Sequence, residues 1–450
     1  MSGPGAGLCY AKLPVGPDDL PRLRAHAHKG GRVIERDGLM LLGFGAAAVL
    51  PLPGGLTDPA SLSRAIEALA AIVAAPAGRS PSEQAGAEHG VASNNTSGEQ
   101  SPEPVPIALG ALRFDRRIDG ELIVPEVTVF APADRAASML VVGSPDRVSE
   151  LVDQLSSGLP EIVTGAPGIE CTPPPDDFRL VSARPHQDFL TRVNAALAEI
   201  RSGRLDKVVL AREVTVQANR PLRQADLLGR LRALHPSCTT FALDGFIGAT
   251  PELLIRRNGK QIASHPLAGT AARSGNAEAD HRAEAALLAS LKERSEHRAV
   301  VDAISSALAP VVERLEVPDR PEILELRNVS HLGTSITGSL ARRDGAFPSA
   351  LELVGLLHPT PAVAGTPVDL ALDYLAKLEE LDRDRYAGPL GWVDARADGE
   401  WYLGIRSAIV AGSSARLFAG VGIVADSDPA EELAETQLKL QAFLAAAVRP

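Results

Sequence analysis

The segment LDKVVLAREV, residues 205–214, opens on a charged residue and runs straight into apolar ones. Val208, Val209, Leu210 and Ala211 have the short, β-branched pattern of a buried strand, which continues to about residue 217. Lys207 stands near its head. A lysine at the edge of a core ordinarily sends its ammonium to water along a buried stem. One held beside a bound substrate can instead lose its proton and act as a base. The strand by itself leaves both readings open.

Upstream, HQDFLTRVNAALAEIRSG (186–203) has the spacing of an amphipathic helix that ends at Gly203. Downstream, strand-like runs fall near 239–244, 246–257 and 261–267, and a long helical region covers about 277–314. Strands return near 322–339, and a helix follows at about 347–356. The C-terminal part reads as three strands (387–395, 400–411, 415–424) and a last helix over 429–447. Strand clusters alternating with long helices predict an α+β or α/β body with large antiparallel sheets. Before residue 175 the pattern is mixed. It holds a hairpin turning at Asp37-Gly38, and a helix with Asp58 as N-cap and Pro59 at its first position. Residues 78–106 are rich in Ser, Gly, Glu, Asn and Pro and read as a flexible surface insertion.

A chain of 450 residues has room for two or three domains. A formal charge of −11 with no basic block argues against nucleic acid and anionic membranes as partners. An anionic small molecule would need Lys, Arg or a metal ion to hold it. Cys9, Cys171 and Cys238 form no C-x-x-C pair, which fits a reducing cytoplasm and no zinc site. The start lacks the charged-then-apolar pattern of a signal peptide, so the NNTS motif at 94–97 carries no weight as a glycosylation site. The most apolar stretch, residues 39–55, is broken by Gly43, Gly45 and Pro51 and reads as a buried strand with a turn rather than a membrane span.

Two helical segments carry carboxylates three residues apart, hence on one face: Glu293 with Glu296, and Glu432 with Glu435. Each pair has an ordinary explanation as surface decoration, with Lys292 serving Glu296 and Lys439 serving Glu435. Four carboxylates brought together would repel one another unless a hard divalent cation sat between them, as Mg²⁺ does with few protein ligands. Gly269-Thr270, just after a strand, would let backbone N–H groups approach an anion, although the segment is not a P-loop. Gly420 and Gly422 end a strand that leads into the Glu432/Glu435 helix; a G-x-G alone is a weak cofactor signal. LHPTPAVAGTP (357–367) is a stiff loop. Arg406 lies inside an apolar strand, where it needs an anion from a structural Asp or Glu or from a substrate carboxylate. His331 by itself reads as a hydrogen-bonded core residue.

Nine blocks taken in order resemble the chorismate-utilising enzymes, the anthranilate synthase component I-like family. They are LDKVVLARE, GATPELLI, PLAGT, KERSEHRAVV, VSHLGTSITG, LHPTPAVAGTP, YAGPLGWV, WYLGIRSA and AGVGIVADSDPAEELAETQLKL. They span about residues 183–447; residues 1–175 match loosely, mainly through LLGFGAA. The resemblance implies one α+β body, a single domain of two large antiparallel β-sheets packed face to face with helices outside. It implies chorismate, a dianionic ring with an enolpyruvyl ether, as substrate, and Mg²⁺ as metal. By resemblance Glu296 and Glu435 are the metal ligands, with Glu293 and Glu432 acting through water. Tyr386, Arg406 and the backbone at Gly422 hold the far carboxylate, with Gly420 and Lys439 also against the substrate. Gly269 and Thr270 line the metal side, and His331 the pocket.

Four positions separate the branches of that family. Its ring-hydroxylating members place a lysine at the position of Lys207 to activate water, where amination enzymes typically have glutamine. Glu252 matches the acid that protonates the departing C4 hydroxyl, a step that a poor leaving group requires. Ala268 stands where aminodeoxychorismate enzymes often carry a nucleophilic lysine. Ala362 stands where isochorismate synthases generally have alanine and the other branches threonine. The set implies an isomerase, a hydroxymutase that makes isochorismate by attack of water at C2. Salicylate synthase is the near alternative. Anthranilate synthase is further off, since glutamine is missing at 207 and no amidotransferase is fused. A catalytically dead chorismate sensor is the alternative from another class. Ala271 and Ala272 depart from relatives that place an arginine there. Isochorismate feeds menaquinone, siderophore and salicylate pathways alike. The expected location is cytoplasmic, and monomers and homodimers both occur in such families.

Overall fold

The computed structural model describes residues 7–74, 103–134, 136–164, 173–343 and 345–448. The strand expected at 205–217 forms as Lys207–Ala218 and runs antiparallel to Ser414–Ile423, with Val208 opposite Ile423 and Gln217 opposite Ser414. Both belong to a twelve-stranded antiparallel sheet; a nine-stranded antiparallel sheet and a three-stranded one complete the described strands. The three-stranded sheet, Leu267–Ala272, Val329–Gly333 and Glu322–Glu325, did not emerge from the sequence as a separate unit.

The two large sheets meet through an apolar layer. Ile34, Leu41, Phe130 and Phe241 of the larger sheet pack against Leu109, Leu390, Trp392 and Tyr402 of the smaller. Phe130 and Trp392 meet edge-on with ring centroids 5.8 Å apart. Each such side chain taken out of water stabilises the fold by roughly 1.5–3 kcal/mol. Helices Asp19–Gly30, Pro145–Ser157, Gln224–Leu234 and Pro429–Val448 share an apolar cluster with the larger sheet. Strands from before residue 175 extend both sheets: Leu39–Phe44 lies in the larger and Ala48–Leu52 in the smaller.

The sequence reading needs correction at the corners where the chain passes between sheets. The run 246–257 divides into Phe246–Thr250 in the larger sheet and Leu253–Asn258 in the smaller. The run 400–411 divides into Gly399–Leu403 in the smaller and Ser407–Ala411 in the larger. Arg406 is therefore not inside a strand but in the corner, at a φ of 52°. The helical region 277–314 breaks at Ser290 into Ala277–Ala289 and Leu291–Leu308, and Val312–Glu316 is a strand. Helices Gln224–Leu234 and Val368–Leu378 were not anticipated. Most of the 78–106 insertion and Cys171 lie outside the described residues. Cys9 and Cys238 are buried and free. No described helix is long and apolar enough to cross a membrane.

Candidate active site

Every residue singled out above for catalysis, substrate or metal lines one cleft that opens to solvent. Its walls are the facing ends of the strands Lys207–Ala218 and Ser414–Ile423, two sheet-to-sheet corners, the three-stranded sheet, and the first turns of two helices.

Each corner delivers one charged side chain to the cleft. Glu252 follows Pro251 between Phe246–Thr250 and Leu253–Asn258, and is 5% exposed. Burial pushes its carboxyl up to about 7, so a substantial protonated fraction persists near neutrality. The other corner carries Arg406, partly buried and with no carboxylate partner within 4.0 Å among the described residues. Its Nη2 donates to Nε2 of His331 at 2.9 Å. A guanidinium can only donate, so Nδ1 of His331 bears the proton and donates to the Gly269 carbonyl at 2.9 Å. Burial, and then the Arg406 charge, hold His331 neutral with a pKa pushed down to about 3. The core-histidine reading of His331 is thus right about its bonding, although its ring also faces the cleft.

Lys207 is 5% exposed and donates from Nζ to Glu296 Oε1 at 2.7 Å. This corrects the expected pairing of Glu296 with Lys292. Gly422 makes room for the contact: a Cβ there would lie 2.6 Å from Lys207 Cε and 3.0 Å from Glu296 Oε1. It sits at the lysine end of the cleft, not beside Tyr386 as the resemblance implied. Gly420 occupies that second place, where a Cβ would lie 3.1 Å from the Tyr386 hydroxyl. Tyr386 is stacked on Phe418 with centroids 5.1 Å apart.

The carboxylate pairs come from helix starts, where the macrodipole favours negative charge. Ser290 caps the helix Leu291–Leu308 by accepting from the Glu293 N–H. Asp428 accepts from the Ala430 and Glu431 N–H groups at the start of Pro429–Val448. Gly269, at a φ of 77°, forms a bulge that leaves the Thr270 N–H free to donate to Glu293 Oε2 at 3.2 Å. Burial and the neighbouring Glu296 raise the Glu293 carboxyl, and burial followed by Glu435 raises Glu432 to about 7. Glu435 is also penalised by burial, but Lys439 at 2.6 Å brings it below the usual range. Lys439 also donates to the Gly420 carbonyl at 3.0 Å. Its pairing with Glu435 is the one anticipated, inside the cleft rather than on the surface. Among the described residues no three His, Cys, Asp or Glu side chains stand close enough to hold an ion as they lie. Glu296 is engaged by Lys207 and Glu435 by Lys439. The donor set nevertheless suits a hard cation. It is all carboxylate oxygen, and burial, with mutual repulsion after it, raises two of its members.

The family model for chorismate binding enzymes matches residues 65–448. The chain belongs to that family. A salicylate biosynthesis isochorismate synthase of Pseudomonas aeruginosa is 44% identical over 269 residues, which cover 58% of this chain and 55% of that one. This chain thus spans about half the length of that relative. Isochorismate synthase DhbC of Bacillus subtilis is 34% identical over 359 residues, covering 77% of this chain and 82% of that one. The solved structure of MenF, the menaquinone-specific isochorismate synthase of Escherichia coli, shares the fold. Its TM-score is 0.77 over 99% of this chain and 96% of that one, at 24% identity.

In this chorismate-binding enzyme the cleft also holds residues that sequence reasoning missed. Lys292 lines it beside Glu293 and feels both Glu293 and Glu432. Arg383 pairs with Glu379 at 2.6 Å and donates to the carbonyls of Val363 and Val209. It thereby ties the Ala362 loop to the strand that bears Lys207. The only sequence signal was the nearness of Arg383 to Tyr386 in RDRYAG.

Proposed function

We propose that this chain is an isochorismate synthase that isomerises chorismate. The observation that carries the reading is a buried carboxyl, Glu252, in the same cleft as a buried lysine, Lys207, with burial raising the carboxyl to about 7. Arg406, without a carboxylate of its own, takes one carboxylate of the substrate, and His331 holds its guanidinium in place. Water attacks C2, both ring double bonds shift (C1=C2 to C1=C6, and C5=C6 to C4=C5), and the C4–O bond breaks. Lys207, once freed from Glu296 and having given up its own proton to solvent, receives the proton of the water, and Glu252 supplies a proton to the departing hydroxyl. Mg²⁺ would be held by Glu296 and Glu435, with Glu293 and Glu432 outside them, and would supply charge neutralisation for a substrate carboxylate. Ala362 lines the cleft and supports a reaction that stops at isochorismate.

The test is incubation of the protein with chorismate and Mg²⁺, followed by chromatography. Isochorismate alone, abolished by a chelator, is the expected result. Salicylate and pyruvate in quantity would move the protein to the salicylate branch. Tight chorismate binding with no product would make it a sensor.

A further inference from the structure

Farther along the strand that begins at Lys207 lies a second cavity, open to solvent. Its carboxylates are already engaged. Glu380 pairs with Arg184 at 2.7 Å, Glu213 with Arg416 at 2.9 Å, Glu379 with Arg383 at 2.6 Å, and Asp382 with Arg113 at 2.9 Å. Two arginines on the wall stand outside these pairs, although Glu379, Asp188 and Glu380 favour the charge on Arg192 from farther off. Arg212 is 6% exposed, and its hydrogen bond to the protein is Nη1 to Thr436 Oγ1 at 3.3 Å. Arg192 donates only to the carbonyls of Asp188 and Glu379, at 3.3 and 2.9 Å. Neither has a carboxylate within 4.0 Å among the described residues. Burial disfavours the charge on both, and Arg192 adds to the penalty on Arg212. A buried guanidinium without an ion pair, as at Arg212, is costly, and an anion that also reaches the half-buried Arg192 offsets the cost.

We propose that this cavity is a second ligand site, which takes a small molecule bearing a carboxylate or phosphate group between Arg192 and Arg212. Phe189, 2% exposed, gives it an apolar wall. Thr436, the side-chain partner of Arg212, is next in the chain to Glu435. An anion that draws Arg212 away from Thr436 acts on the helix that carries the cleft carboxylates.

Inorganic phosphate and malonate, each titrated calorimetrically into the whole chain at constant ionic strength, test this. Saturable one-to-one binding of at least one of them is expected. It should persist in Arg406→Gln, which lacks the cleft arginine. It should weaken by at least ~10-fold in Arg212→Gln and in Arg192→Gln, because each removes charge-assisted hydrogen bonds. Arg192 is only half-buried, so its variant carries the test should Arg212→Gln fail to fold. Preference for phosphate assigns the site to phosphorylated ligands, and preference for malonate to carboxylic acids. No saturable binding of either anion, or binding lost in Arg406→Gln and kept in Arg192→Gln, overturns the proposal.

Discussion

Glu252→Gln keeps the size and shape of the side chain and removes its proton. The carboxyl stands at about 7 rather than 4.5, with burial the leading cause, and at 5% exposure solvent screens it little. That displacement corresponds to about 3 kcal/mol, at roughly 1.4 kcal/mol per pKa unit. The sign follows from proton binding. Below pH 4.5 the folded and unfolded chains are both protonated at this position. Between 4.5 and about 7 only the unfolded chain ionises, so the stability of the parent falls as pH rises. Above 7 the loss is complete. Glutamine cannot ionise, so the variant should gain on the parent across that window and level off about 3 kcal/mol ahead. Urea unfolding at pH values of about 4.5, 6 and 8 reads the difference. Turnover should move the other way: without the acid, kcat falls by about 10²–10⁴-fold. The decline of kcat/KM as pH rises through about 7, where the parent loses its proton, should vanish. A stability offset that is the same at every pH would refute the burial argument. A kcat within about tenfold of the parent would remove Glu252 from the acid role.

Lys207→Ala should lower kcat by about 10²–10⁴-fold while calorimetry still detects chorismate binding; substantial residual turnover would show that another group activates the water. Gly422→Ala places a methyl 2.6 Å from Lys207 Cε. The obstruction is a flexible side chain, so the melting temperature should hold while kcat drops by about 10²-fold through a displaced lysine. Arg383→Met leaves Glu379 buried without its cation and should cost about 3–5 kcal/mol in urea unfolding. Adding Glu379→Gln to that variant should recover part of the loss, and an equal or larger deficit in the double variant would count against the pairing.

The large antiparallel sheets and the carboxylate pairs were legible because they rest on local period: alternation for the strands, and a three-residue spacing for the helix faces. Ser290 was legible in principle as well. The Ser-x-x-Glu spacing from Ser290 to Glu293 is the start of a capping box, and it marks the break that puts Glu293 in a first turn. The partners of the charges were not legible. Glu296 had a lysine at hand in the sequence, Lys292, yet its ammonium partner is Lys207, from a strand on another element. No spacing rule reaches across that separation. The Arg383–Glu379 pair and the two arginines outside such pairs are hidden for the same reason, since burial and the lack of a partner are properties of the packed chain.

The corners carry the sharper lesson. Residues 246–257 and 400–411 look like single strands because both halves of each are buried, and the apolar pattern does not register a change of sheet. Pro251 and Gly404 interrupt the runs at the corners, and proline within a strand-like run is a sign of an edge or a break. Leaving one sheet for the other strips a residue of its ladder neighbours and turns its side chain into the gap where the sheets part. Glu252 and Arg406 occupy those gaps. A carboxyl there loses solvent without gaining an ion pair, and burial raises its pKa to about 7. An arginine there hydrogen-bonds to a neutral imidazole and has no carboxylate within 4.0 Å among the described residues, and so can take an anion. An acid that must donate and a cation that must bind a carboxylate are thus products of one topological event repeated. Moving either residue one place into a flanking strand would give it a ladder position and a sheet face in place of the cleft.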